Sequence, residues 1–298
     1  PTVVTCHVPV CPNGARFRYA ERALCERSVG ATCVTDGYRN GGCATTADER
    51  AYGLVSFAAG LIYSRWSLRL LGRSAAVIAP SVWQARMLER DGVPARLLQV
   101  LPPPVPGGIV VEHGSRRDDR RPIVLLAGRL VVLKGFDDAL RASALINTEH
   151  EIHIAGSGPA ERGLRDLAAG LDIEDRVHFL GDLDSDELGR ASAAAAVVVV
   201  PSLWPETYGM VGPEALMRGT PVVAYLSGGI ADWASSASGA VGVATGDFEA
   251  MAGEIEQVLL HREAARPPEA SRLRIRAALD PGSHALELGE LYDRVTAR

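Results

Sequence analysis

The sequence predicts an α/β protein with two doubly wound, Rossmann-like domains. Three observations carry this. From residue 123 onward, short apolar runs alternate regularly with helix-like stretches. The runs are mostly continuous rather than alternating, which is the pattern of parallel strands covered on both faces. At 298 residues the chain also has the length of two domains.

The strands of the second half read "IVLLAG" (123–128), "EIHIAG" (151–156), "RVHFLG" (176–181), "AVVVVPS" (196–202), "PVVAY" (221–225) and "GAVGVAT" (239–245). Helical stretches fall near 136–147, 159–170, 184–194, 209–218 and 248–262. Right-handed crossovers place ligands beyond the carboxyl ends of such strands. The first hundred residues are sparser, with strands at 2–6, 75–79 and 97–101 and helices at 47–72 and 81–91. "LPPPVPGG" (101–108) is stiff and uncharged and reads as a linker. The division is therefore a first domain at 1–105, holding a Cys-rich loop at 11–43, and a second at 106–298. Three strands are few for a doubly wound half, and the chain opens directly into "PTVVTC" without Met, so the first domain is expected to be incomplete. A final helix at 282–296 offers Leu286, Leu288 and Leu291 as a face for docking back on the first domain.

Composition narrows the partners. The net charge is −5 and no basic stripe runs along the chain, which argues against nucleic acid. "RRDDRR" (116–121) alternates sign and reads as a solvated loop. Abundant Ala and Arg resemble the usage of a GC-rich bacterial genome. No apolar run reaches the ~18 residues of a membrane helix. The expectation is a cytoplasmic protein with no transmembrane segment, a peripheral membrane contact staying open. All five cysteines lie at positions 6, 11, 25, 33 and 43. An odd count argues against a secreted disulfide framework. Without a C-x-x-C pair the zinc signal is weak. Yet a long irregular loop needs a fastening, so Cys11, Cys25, Cys33 and Cys43 either hold a structural metal or stay as unlinked thiols.

The chemistry concentrates after two strands. "GRLVVLKGF" (128–136) contains Lys134, the only lysine among 31 basic residues. A compact ammonium on a flexible stem is something guanidinium cannot mimic. Arg129 and Lys134 at a strand's carboxyl end suit a polyanion, most simply a diphosphate. The second constellation is "PETYGMVGPEALMRGTPVVA" (205–224). A helix beginning near Tyr208–Gly209 would offer the amides of Gly209, Met210 and Val211 to an anion. Glu206 precedes it and Glu214 lies on it. Eight helical positions span about 12 Å, more than the roughly 5–9.5 Å between glycosidase carboxylates. The spacing suits one ligand gripped at two places.

These motifs resemble the carboxyl-terminal domain of retaining glycosyltransferases of the GT-B fold, the group-1 or GT4 class. The pattern is "GRL…LKGFDDALRA", "IAGSGP", "VHFLGDL", "VVVVPSLWPETYGMVGPEALMRGTPVVA" and "SGGIADW", with Glu206 and Glu214 forming its E-x7-E frame. The resemblance implies transfer of a sugar from a nucleotide-diphosphate donor to a hydroxyl acceptor with retention, in polysaccharide or glycoconjugate biosynthesis. It gives Arg129 and Lys134 to the diphosphate, Glu206 to hydroxyls of the transferred sugar, and the Met210 and Val211 amides to the sugar–phosphate junction. Glu214 goes to the ribose, while "GSGP" (156–159) and "FLG" (179–181) border the base. His7 matches a histidine facing the donor sugar, so His7 and Glu206 are the catalytic candidates. No cofactor or divalent metal is called for, since cations and amides neutralise the diphosphate. Three departures stand out: Ala231–Asp232 where a Pro–Glu pair is common, Tyr208 for the usual Phe, and "PPPV" where an Asn–Gly pair is common. Two rivals remain. One is another enzyme on the same fold, a sugar-nucleotide epimerase or a phosphorylase. The other is a donor-binding fragment without turnover.

Overall fold

The structure, a computed structural model, describes residues 2–6, 10–12, 16–18, 23–35, 43, 53–105 and 121–297. His7, much of the Cys-rich loop, the start of the predicted 47–72 helix, the end of the linker and most of "RRDDRR" lie outside the described residues.

The first region contains β1 (Val3–Thr5), β2 (Phe17–Arg18), β3 (Ala23–Leu24), α1 (Gly53–Leu71), β4 (Ala76–Ala79), α2 (Val82–Arg90) and β5 (Leu98–Val100). β1, β4 and β5 form a parallel sheet in the order β1-β4-β5, and β2 and β3 pair as a small antiparallel hairpin. The second region runs β6 (Ile123–Ala127), α3 (Phe136–Leu145), β7 (Glu151–Ala155), α4 (Glu161–Gly170), β8 (Val177–Gly181), α5 (Ser185–Ala194), β9 (Val197–Val200), α6 (Val211–Met217), β10 (Val222–Tyr225), β11 (Ala240–Val243) and α7 (Phe248–Leu260), then α8 (Glu269–Ala278) and α9 (Pro281–Thr296).

Its six strands are all parallel, in the order β11-β10-β9-β6-β7-β8. From β6 the chain winds outward through β7 and β8, then returns to the other side of β6 and winds through β9, β10 and β11. The switch point therefore lies between β6 and β9, and the crevice beyond their carboxyl ends is where such sheets take ligands. The continuous apolar runs are explained by burial on both faces. Leu126, Ile152, Ile154, Val199 and Tyr225 join one core with residues of α3, α4 and α7. Leu125, Val198 and Ala224 join another with α6 and Trp233. "RVHFLG" is less buried than its apolar sequence suggests because β8 is an edge strand.

α9 crosses back to the first sheet. Leu291 is buried with Ala76, Ile78 and Leu101, with Leu288 and Val295 packed alongside. Leu286 is 73% exposed. Two residues correspond to about 200° around a helix, so Leu286 and Leu288 cannot share a face. Leu291→Ala is expected to lower unfolding free energy by about 2–5 kcal/mol, read by denaturant titration.

Candidate active site

The site is assembled by stitching together the loops after β6 and β9. After β6 the chain passes Gly128, Arg129 and buried Leu130, then makes a 3-10 turn, Val132–Lys134. The turn ends on Gly135 in the left-handed region, φ 66° and ψ 22°. A Cβ on Gly135 would stand 2.0 Å from the Pro201 carbonyl oxygen, so only glycine lets this turn press against the end of β9. The Leu133 carbonyl accepts the N–H groups of Leu203 and Trp204, each at 2.9 Å.

This stitch brings Lys134 to Glu206. The Lys134 Nζ donates to Glu206 Oε1 at 2.6 Å, and Ser202 Oγ donates to the same oxygen at 2.8 Å. Neither side chain is fully buried, at 31% and 16% exposed, so a ligand can reach both. From the far side, "SGG" clasps the Glu206 backbone. Gly229 N–H donates to Glu206 O at 2.6 Å, and Ser227 Oγ donates to Trp204 O at 2.6 Å. Gly135→Ala is expected to cost at least about 1–2 kcal/mol from the left-handed backbone alone. It should also lower donor affinity by displacing Lys134, which parallel melting and ligand titrations would read.

Beside this pair opens a cleft of about 500 Å³, lined by Gly128, Arg129, Gly156, Ser157, Asp182 and Leu183 among others. A Cβ on Gly156 would fall 2.0 Å from the Gly128 carbonyl oxygen, which explains the glycine there. Beyond Ala127 and Leu188 the cleft adjoins a narrow recess walled by Val211, Glu214 and Arg218. Burial pushes the Glu214 carboxyl up, with Arg218 acting in the opposite sense. Arg218 Nη1 stands 3.9 Å from the Glu214 carboxylate and donates to its backbone carbonyl at 2.9 Å.

The structure thus brings Arg129, Lys134, Glu206, Val211 and Glu214 to the crevice at the switch point. One boundary is corrected. The helix begins at Val211, capped by Met210, not at Tyr208–Gly209. Gly209 therefore sits in the loop, with φ 77° and a Cβ position 2.9 Å from Ile230, and its amide is not a helical N-terminal donor. Met210 and Val211 precede the first helical bonds, which run from Gly212 to Gly209 and from Glu214 to Met210. Tyr208 is an anchor: burial, then Asp232, pushes its phenol up to about 12, and its carbonyl accepts Trp233 Nε1 at 2.6 Å.

Asp232, the departure from the Pro–Glu pattern, has a structural use. Its Oδ2 accepts the Val82 N–H at 2.5 Å, while Ser81 Oγ accepts that of Gln84 at 3.1 Å. Together they cap α2 of the first region from a residue of the second. Asp232→Ala is expected to lower stability by about 0.5–2 kcal/mol, the usual loss of an N-cap, visible as a lower Tm.

Sequence reading missed several residues here. Ser202 is signalled only by its place at the end of "VVVVPS". Asp182 and Asp184 have Asp-x-Asp spacing, which corrects the expectation that the sequence carries no such metal motif. Asp184 caps α5 in a capping box with Glu187, whereas Asp182 lines the cleft and accepts from Ser157 Oγ at 2.7 Å. Phe179 packs toward the helical face under Arg165 at 4.0 Å, Gly181 pairs with Gly156 at the cleft's edge, and Asp182 and Leu183 line the cleft. The five thiols are not joined in disulfides. Cys11 Sγ accepts the Arg16 N–H at 3.1 Å, and burial followed by Cys25, Cys11 and Cys33 pushes the Cys43 thiol up to about 11.

A parallel sheet with Arg129, Lys134 and Glu206 gathered on the loops beyond β6 and β9, next to a cleft, defines an α/β protein with a switch-point crevice. A profile of the family described as glycosyl transferases group 1 matches residues 112–275, more than half of the chain, and the chain belongs to that family. It is 27% identical over 209 residues to 2-deoxystreptamine glucosyltransferase of Streptomyces kanamyceticus, across 65% of this chain and 53% of that protein. It is 35% identical over 188 residues to D-inositol 3-phosphate glycosyltransferase of Acidothermus cellulolyticus, across 54% and 42%. Among solved structures, sucrose-phosphate synthase from Thermosynechococcus elongatus superposes with a TM-score of 0.70 at 27% identity, over 79% of this chain and 62% of that one. Anabaena HepE in complex with UDP gives 0.70 at 21% identity, over 78% and 68%, and speaks to the fold alone. The fold is GT-B. The chain spans about a quarter to a half of the length of the first three curated relatives it matches.

Proposed function

We propose that this chain carries the donor site of a retaining glycosyltransferase that moves a sugar from a nucleotide-diphosphate donor to a hydroxyl acceptor. The observation that carries the reading is the Lys134–Glu206 contact of 2.6 Å at the switch point, beside a cleft lined by Arg129. A ligand bound there meets a cation and a hydrogen-bond acceptor at adjacent points, as a sugar joined to a phosphate requires. Arg129 and Lys134 take the diphosphate, Glu206 the sugar hydroxyls, and the Met210 and Val211 amides the junction. Glu214 takes the ribose, with the base toward Ser157 and Asp182. Residues 1–105 form the acceptor side and contribute His7 as a catalytic candidate.

In the reaction the bond from the anomeric carbon to the phosphate oxygen breaks as the acceptor oxygen bonds to that carbon on the same face. The acceptor proton passes to the leaving phosphate oxygen. Negative charge grows on the diphosphate, and fixed cations and amides stabilise it most where it grows most. The test is incubation with a panel of sugar nucleotides and hydroxyl acceptors, followed by NMR of the product anomer. A retained configuration with release of nucleoside diphosphate is expected. An inverted product, or epimerised donor with no transfer, would refute the reading. Transfer is also expected to survive EDTA, because side chains neutralise the diphosphate. Full loss with rescue by Mg²⁺ or Mn²⁺ would contradict that.

A further inference from the structure

A second cluster lies away from the cleft, on strands β7 and β8. His153 and His178 are directly opposed in the parallel register, and Glu151 precedes His153 by two residues, so the three share one face of the sheet. That face is the reverse of the one carrying Ile152 and Ile154 into the core. His153 Nε2 stands 3.3 Å from Glu151 Oε2, and His178 Nε2 stands 4.0 Å from the same oxygen. All three ligand atoms lie within 4.8 Å of one another. Zinc bonds of about 2.0–2.2 Å in a tetrahedral set place neighbouring ligand atoms roughly 3.3 Å apart. One pair already has that separation, and the others reach it by turning rings held edge-on, at 83° with centroids 5.2 Å apart.

We propose that Glu151, His153 and His178 bind one divalent transition-metal ion of the zinc class, with water in the fourth position. Two imidazoles and a carboxylate are the donor set of open zinc sites, and hard oxygen-preferring ions such as Mg²⁺ are poorly served by it. The scaffold is preorganised, because the positions are fixed by strand pairing rather than by a loop. His178 is exposed and the other two are half-buried, so an ion has access from solvent.

The site is not part of the sugar-transfer chemistry. None of the three lines the cleft, and His153, the ligand on β7 nearest to it, precedes cleft-lining Ala155 by two residues, about 7 Å along an extended strand. An ion here fastens the edge strand β8 to its neighbour. Bound metal should therefore raise Tm by mass action and leave nucleotide affinity unchanged.

The test uses the full chain, stripped with chelator and titrated with Co²⁺ by absorption spectroscopy, with Zn²⁺ competition and melting curves in parallel. One Co²⁺ per chain is expected at this site, with a spectrum free of sulfur-to-cobalt charge transfer. Losing a mere supporting partner of a ligand costs about 10–100-fold in affinity, so His178→Ala and Glu151→Gln should each weaken binding at least tenfold. Because His178 is exposed, the metal-free Tm of His178→Ala should match the parent and exclude misfolding. Unchanged cobalt affinity in both variants would overturn the proposal. So would bound cobalt that all carries thiolate charge transfer, which would put the ion on the cysteines, or no binding at all.

Discussion

Lys134→Ala is expected to lower kcat/KM for the sugar-nucleotide donor by about 10²–10³-fold, the usual loss of one preorganised donor to a developing negative charge. Lys134→Arg should fall as well. The lysine stem passes 3.9 Å from the Cβ position of Gly128, and its ammonium sits 2.6 Å from Glu206. A planar guanidinium brings charge of the same sign but in a broader fork, which spreads it away from that point. Since the Lys134–Glu206 pair is partly exposed, the variants should fold with Tm close to the parent. Donor kinetics of Lys134→Arg matching the parent would show that this position needs charge alone.

Glu206→Gln and Glu214→Gln should separate the two ends of the donor. Glu206 reaches the cation and the Ser202 hydroxyl through one oxygen, Oε1. Its amide variant should impair sugar transfer while leaving free nucleoside diphosphate affinity nearly unchanged, because that ligand has no sugar to lose. Glu214 lies across Ala127 in the adjoining recess, and its amide variant should weaken the free diphosphate by about 1–3 kcal/mol, the loss of a charged hydrogen-bond partner. Calorimetric titration of the same nucleotide against both proteins reads the difference. Equal losses would argue against two ends of one ligand, and no loss for either would reduce the frame to a way of starting a helix.

Much of the fold was legible because buried parallel strands need continuous apolar runs. "IVLLAG" became Ile123–Ala127 and "PVVAY" became Val222–Tyr225, with ends moving by a residue or two. α8 was not legible. "EASRLRIRAA" shows no apolar stripe, and the helix is held instead by packing against α6 and by Ser271 Oγ bonding the Ala237 carbonyl at 2.6 Å. In the site, residue types and spacing named Arg129, Lys134, Glu206 and Glu214. The contact between Lys134 and Glu206 spans 72 positions and arises from Gly135 meeting Pro201, which no local pattern encodes. The start of α6 was placed early because Gly209 reads equally as a helix opening and as a left-handed loop residue. Asp232 looked like a defect in a motif until its carboxylate was found on the amide of Val82, 150 residues away.

Calorimetric titration of uridine, guanosine and adenosine diphosphates into the parent chain and into Lys134→Ala tests the donor-site reading most directly. One of the three should bind the parent saturably at one site per chain, and the same nucleotide should bind Lys134→Ala much more weakly although the variant remains folded. Binding that is indifferent to Lys134, or absent for all three, would contradict a diphosphate grip at the β6–β9 switch point.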